Sequence, residues 1–249
     1  MRIQFKLTLF LFFLQICADI RTRKRCRLNE PEWKSIPWLE IPKTPKDLLC
    51  DIFAEIPGIL EDLDNLRYTR HLPQNVIQRQ ELIQECWWLE DRWLRWRREH
   101  APNQAIFISD GASESSFLDR FSAAHVMATY WSIGVFLYTT IRIASGARAS
   151  ANLPSRTDPR VCCKMISDLL PTFAHPSAGV YGEHSANFST IVALAYLNEI
   201  DGSLDGDLAQ MFLSSGSPGG PGKAIQHFVT NIRRQDMEGG RRKFAPMYD

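Results

Sequence analysis

No two cysteines in this chain of 249 residues stand in a Cys-x-x-Cys pair. That removes the strongest sequence sign of a zinc site, because thiolate ligands to a tetrahedral ion usually come in such close pairs. No Gly-x-Ser-x-Gly elbow is present to present a nucleophilic serine. No run alternates apolar and polar residues long enough to read as a half-buried strand, and no segment repeats at a fixed length. Charge of one sign is not in excess: Lys and Arg number 29 against 28 Asp and Glu, a formal net charge of +1. The chain as a whole therefore has no pull toward nucleic acid or acidic substrates. No stretch reaches the ~20 apolar residues that a bilayer span requires.

Apolar residues, in contrast, make up 45% of the chain, enough for a substantial core and too much for disorder throughout. They recur at helical spacing, most informatively in Glu30–Leu66, EPEWKSIPWLEIPKTPKDLLCDIFAEIPGILEDLDNL. Thr44 suits a helix N-cap, Pro45 the first helical position and Asp47 the third, from which its carboxylate reaches back to the cap. Leu48, Leu49, Ile52, Phe53 and Ile56 then form one apolar stripe. Pro57-Gly58 is expected to stop that helix, since Pro lacks the N–H and clashes with the preceding turn. Ile59, Leu60, Leu63 and Leu66 begin a second stripe. Trp33, Pro37 and Trp38 precede the pair as an aromatic–proline connector, a scaffold motif expected to dock on the helices.

The clearest helix is expected from about Pro73 to His100, with Leu82, Cys86, Leu89, Trp93 and Trp96 as a buried seam of coiled-coil type. A long helix follows over about Phe117–Ser145, apolar nearly all round and hence central. Its His125 is expected as a satisfied polar group in the core. After a loop at Gly146–Arg156, Asp158 is expected to cap a helix that Pro171 ends, with Val161, Cys162, Met165, Ile166, Leu169 and Leu170 on its apolar face. A link over His175–Gly182 leads to a helix over about Asn187–Glu199, with Phe188, Ile191, Val192 and Ala195 inward. A short helix over Leu204–Leu213, a flexible loop over Ser214–Gly222, an amphipathic helix over Ala224–Arg233 and a polar tail complete the chain. The fold class is all-α: an irregular multi-helix bundle with two long central helices. The segments are 1–28, an apolar helix or signal-like segment with a basic end; 29–233, a helical domain; and 234–249, a flexible tail.

Two readings stand for the N-terminus. Arg2 and Lys6 before Leu7–Leu14, with Cys17 and Ala18 after, match a secretory signal cleaved after Ala18. The alternative is a buried helix from about Gln4 to Arg25. A cleaved signal would make Asn187-Phe188-Ser189 a usable glycosylation acceptor. Arg21, Arg23, Lys24, Arg25 and Arg27 form a basic cluster that either addresses a nucleus or touches phosphate, or is a solvated helix end favoured by the helix dipole, the preferred reading. The six cysteines, Cys17, Cys26, Cys50, Cys86, Cys162 and Cys163, allow three disulfides, but Cys50 and Cys86 lie within amphipathic patterns, which favours reduced, structural thiols. Vicinal Cys162-Cys163 is read the same way. Gly222-Lys223 lacks the partner glycine and the Ser or Thr of a phosphate loop. His175, Glu183 and His184 follow no metal-ligand spacing. Hence no catalytic, metal or cofactor-binding residue is assigned.

Pro31-Glu32-Trp33-Lys34-Ser35-Ile36-Pro37-Trp38, with basic residues before it and Pro42-Lys43-Thr44-Pro45-Lys46-Asp47-Leu48-Leu49 after it, resembles the regulatory region of fungal binuclear zinc-cluster transcription factors. Ala128-Thr129-Tyr130-Trp131 and Leu137-Tyr138 are similar to that family's later Trp- and Tyr-rich helices, and the resemblance spans about Ile20–Arg233. It implies a non-enzymatic all-α domain that controls transcription of metabolic or secondary-metabolite genes through a protein partner or small effector. The family's six-cysteine, two-zinc DNA reader has no counterpart here. The resemblance therefore implies no sequence-specific DNA binding by this chain alone, as in a partial gene product, a degenerate relative or a regulator acting through a partner. It also implies a nuclear or cytoplasmic location, secretion through Met1–Ala18 being the alternative.

Overall fold

The computed structural model describes residues 2–69, 72–103, 114–202 and 206–214, with side chains from residue 11 onward except 114–115 and 147–148. Every regular element among these residues is helical. The chain divides into two compact units. Unit 1 comprises Met1–Ala101 with Thr140–Asn152; unit 2 comprises Pro102–Thr139 with Leu153–Pro246. The α-helices are α1 (Arg2–Thr22), α2 (Pro31–Ser35), α3 (Pro45–Phe53), α4 (Ile56–Tyr68), α5 (Asn75–His100), α6 (Glu114–Ser150), α7 (Pro159–Phe173), α8 (Gly179–Glu199) and α9 (Asp207–Ser214).

In unit 1 the expected cap of α3 forms in full. The Thr44 side chain accepts from the Asp47 N–H, and the Asp47 carboxylate accepts from the Thr44 N–H at 2.7 Å. Leu49, Ile52, Phe53 and Ile56 are buried, while Leu48 is half-buried. Pro57-Gly58 does not end α3. The chain turns at Ala54-Glu55, and Pro57 occupies the first turn of α4, where a missing N–H costs nothing. Ile59, Leu60, Leu63 and Leu66 then line the core. The α5 seam is as read: Leu82, Cys86, Leu89, Trp93 and Trp96 are all buried, and α5 packs on both α3 and α4. Two polar contacts fix these crossings. The Trp96 indole N–H donates to the Pro45 carbonyl at 2.8 Å, and buried Asn75 donates to the Leu66 carbonyl at 2.8 Å, closing the last turn of α4. The Leu66 acceptor is buried, so Asn75 replaces the water it has lost; the Trp96 bond to Pro45 is part-buried.

α1 joins this core through buried Ile16 and Ile20 and through Phe13, whose ring lies 5.7 Å from that of Phe53. It ends three residues before the expected Arg25. The Arg23 N–H donates to the Ile20 carbonyl and the Lys24 N–H to the Asp19 carbonyl, with Arg23 at φ 54°. This is a Schellman stop, unusual in placing arginine where glycine is common. α6 extends beyond both expected ends but breaks at Gly146 (φ 77°, ψ 165°), a conformation that side-chain-bearing residues avoid.

In unit 2, the described part of α6 up to Thr139 is apolar on nearly every side, with Ala124, Ala128, Trp131, Ile133, Val135, Leu137 and Tyr138 buried. Phe121 meets Phe173 edge-on at 5.6 Å. α7 packs on α8, and α9 on both. Asp158 caps α7 by accepting the Arg160 N–H at 3.0 Å. Three expectations need correction. Pro171 lies within α7 rather than ending it. Val161 is exposed rather than inward. α8 starts at Gly179, and its buried positions are Gly182, Ala186, Ser189, Thr190, Val192, Ala193, Leu194, Tyr196 and Leu197, not Phe188, Ile191 and Ala195. The inward side is set by small residues: a Cβ on Gly182 would stand 2.1 Å from the Phe173 carbonyl oxygen, so α8 approaches the end of α7 backbone to backbone. The Arg160 guanidinium, 2.8 Å from Asp201, ties the start of α7 to the end of α8. The expected loop over Ser214–Gly222 beyond Ser214, the helix over Ala224–Arg233 and the tail lie outside the described residues.

Candidate functional site at the basic turn and the tryptophan elbow

The basic cluster after α1 is not one surface. Its three central members face α4. The Arg23 guanidinium donates to Asp64 through Nε (2.5 Å) and Nη2 (2.8 Å), and also to the Leu60 carbonyl. Lys24 pairs with Glu61 at 2.9 Å, and Arg25 straddles both oxygens of Asp62 at 2.6 Å. Arg25 also lies over Gly58, where a Cβ would come within 3.1 Å of its Nη1. Hydrogen bonding from Lys24 holds the Glu61 carboxyl below its ordinary pKa. Burial, helped by the nearby Arg23 charge, lowers the Arg67 guanidinium. Arg21 and Arg27, the outer members, are exposed and have no ion-pair partner among the described residues. The sequence reading of a solvated helix end thus omits α4. The acidic run Glu61-Asp62-x-Asp64 is the signal that finds it: a block of charge complementary to Arg23-Lys24-Arg25.

The elbow folds as α2 followed by a single 3₁₀ turn, Ile36–Trp38. Its attachment is partial. Pro37 and Trp38 are half-buried, and Lys43 sits 5.4 Å from the Trp38 ring centre in cation–π contact. Trp33 stands edge-on to Phe12 at 5.9 Å with 42% of its surface exposed. Lys34 reaches Glu55 at 2.9 Å, and the same carboxylate accepts from Arg92 at 2.6 Å. Lys43 also pairs with Asp51, whose carboxyl burial nevertheless raises above its ordinary pKa. A cavity of about 20 Å³ remains under the elbow, bordered by Phe12, Ile16, Trp33, Trp38, Cys50 and Asp51. That is room for one water, not for an effector.

Among the described residues the six cysteines form no disulfide. Burial pushes Cys17, Cys26 and Cys50 up to about 12, and raises Cys86 and Cys163 as well. Thiols held neutral in this way are poor nucleophiles. His175 is an exposed cap whose Nδ1 accepts the Ser177 N–H, with its ring on Phe117 at 4.8 Å, and His184 is exposed on α8. Among the described residues no His, Cys, Asp and Glu group is placed to hold a metal. His125 is half-buried. Asn187 and Ser189 lie within α8 with Ser189 buried, which leaves that acceptor motif folded away. Gly222-Lys223 lies outside the described residues. Among the described residues no helix is long and apolar enough to cross a membrane. Comparison with family models, with curated proteins and with solved structures finds no match to this chain.

Proposed function

We propose that this chain is a non-enzymatic helical regulatory domain of the zinc-cluster type, acting in the nucleus or cytoplasm on transcription of metabolic or secondary-metabolite genes through a protein partner. The observation that carries this reading is the elbow. The residues that bear the resemblance, Trp33 to Trp38, are seated against α1 and α3 and fastened by Lys34 to the turn between α3 and α4. That is a scaffold's use of them. The basic cluster supports the same reading, because its central cations are matched by carboxylates and leave no continuous cationic row to follow a phosphate backbone.

The test is to fuse the whole chain to an unrelated sequence-specific DNA-binding domain in a fungal host and measure a reporter downstream of its site. A change in reporter output that is lost with Trp33→Ala supports regulation through a partner. Output equal to that of the DNA-binding domain alone discards it. The secretion reading has its own check in the intact mass of the natively produced chain. Removing Met1–Ala18 would take Phe13 and Ile16 from the core of unit 1, so a mature start at Asp19 would overturn the assignment of α1 to the fold.

A further inference from the structure

Unit 1 exposes apolar side chains where a solvated helix would carry polar ones. On α1, Leu11 and Leu14 are 60% and 47% exposed. Across from them the elbow exposes Trp33, Ile36 and Leu39. One member of each set, Leu11 and Trp33, lines an open groove of about 360 Å³ together with Phe12, Gln15, Arg27 and Leu28. Four of the lining residues are apolar; the polar ones are an amide and a guanidinium. Scattered exposed leucines need no explanation, but leucines and a tryptophan sharing one concavity mark an interaction site.

The charge at the groove is as informative as its apolar floor. Arg23, Lys24 and Arg25 are matched by Asp64, Glu61 and Asp62. Arg27, three residues after the Schellman stop, lines the groove with no carboxylate of its own among the described residues. A cation left unmatched beside an apolar channel, next to three cations that are all matched, is positioned for a carboxylate brought by something else. Two exposed acids, Glu30 and Glu32, stand in the chain just before Trp33. A uniformly anionic lipid surface is therefore a poor fit, whereas a segment carrying its acid at one place is a good one.

We infer that the groove between α1 and the elbow docks an amphipathic helix of a partner protein, its apolar stripe on Leu11, Phe12 and Trp33 and an acidic side chain against Arg27. This helix-in-groove mode uses anchors spaced three and four residues apart. The inference deepens the partner-binding reading above and rests on it only for the existence of a protein partner.

The experiment uses the full chain and two fluorescein-labelled 18-residue helical peptides. Both carry leucines at three- and four-residue spacing; one has a single glutamate beside the stripe, its twin a lysine at the same place. Fluorescence anisotropy is expected to show the glutamate peptide binding about fivefold tighter than its twin, the effect of one partly exposed pair and its repulsive counterpart. Arg27→Glu reverses that preference, while Leu11→Asp abolishes binding of both. Arg21→Glu serves as the control for nonspecific charge and leaves the preference unchanged. Equal binding of the two peptides, no binding, or an Arg27→Glu chain with the native preference overturns the inference. So does sedimentation showing a dimer that Leu11→Asp disperses, since the occupant is then a second copy, and so does Arg27-dependent pelleting with phosphatidylserine vesicles. A chain that binds the glutamate peptide yet leaves the fused reporter unchanged retains this groove and loses the transcriptional role.

Discussion

Replacing Glu55 with glutamine tests the contact that fastens the elbow to the helices. Glu55 has 11% of its side-chain surface exposed and accepts from Lys34 at 2.9 Å and from Arg92 at 2.6 Å, cations that are 22% and 26% exposed. Hydrogen bonds to charged groups contribute roughly 1.5–3 kcal/mol each when buried. Partial exposure of both cations moves each toward the lower end, because water screens and partly replaces them. Both cations bond the same oxygen, Oε1, so glutamine can keep its carbonyl oxygen between them but removes the negative charge that holds two cations at one point. Arg92 retains its stacking on Trp88, whose ring centre is 4.7 Å away. The net loss is therefore about 2 kcal/mol, below the sum of two full charge-assisted bonds. Urea unfolding followed by tryptophan fluorescence measures it cleanly, since Trp131 is the one tryptophan of the chain outside unit 1. The midpoint should fall by about 1 M at unchanged slope. Arg92→Met alone should cost about 1.5 kcal/mol, and Glu55→Gln with Arg92→Met less than the two singles added, since they share one interaction. A Glu55→Gln midpoint within about 0.2 M of the native chain, or strict additivity, refutes the assignment of Glu55 as the joint.

Gly182→Ala should destabilise unit 2 by about 2–3 kcal/mol or more, because its Cβ would collide with the backbone oxygen of Phe173 at 2.1 Å; a thermal melt monitored by circular dichroism reads it. Arg23→Gly should still lose stability although glycine relaxes the left-handed turn by about 1 kcal/mol, since the paired bonds to Asp64 go with the side chain; Arg21→Ala, lacking a partner, should be neutral within about 0.5 kcal/mol in the same melt. Glu61 titrates below its ordinary value when folded, so its contribution is complete above that value and lost as pH falls through the depressed one. Asp51 and Glu85, raised by burial, act with the opposite sign, and their stabilisation is lost as pH rises. Glu61→Gln should therefore flatten the fall of the urea midpoint between about pH 5 and pH 3 without steepening it above that range.

Much of unit 1 is legible in sequence because its signals are local and agree with one another. Thr44, Pro45 and Asp47 define a cap by chemistry within four residues, and the α5 seam repeats five times without interruption. α8 is harder to read. Its inward side is built from Gly182, Ala186, Ser189 and Thr190, small residues that a hydrophobicity pattern does not mark, while Phe188 and Ile191 take half-buried positions. Pro57 and Pro171 mislead in a related way. Proline excludes a helical N–H bond, but position decides whether that breaks a helix or suits its first turn, and Pro171 sits two residues from the end of α7, where little helix is left to disrupt. The basic cluster was visible as charge but not as structure. What neutralises Arg23 lies 41 residues downstream, and no periodicity within a single helix connects the two.

The three cation pairs along α4 differ sharply in how wet they are, and that grading has a consequence of its own. Arg23 is 10% exposed, whereas Lys24 is 72% and Arg25 59% exposed. Dissolved ions at physiological strength screen over about 8 Å and act first on the solvated pairs. Rising ionic strength should thus peel the seam from the outside inward, loosening Lys24 and Arg25 while Arg23 still holds the chain in its left-handed bend. The junction between the first helix and the elbow then yields in two stages rather than one, with the groove at Arg27 freed to shift before the helix itself lets go.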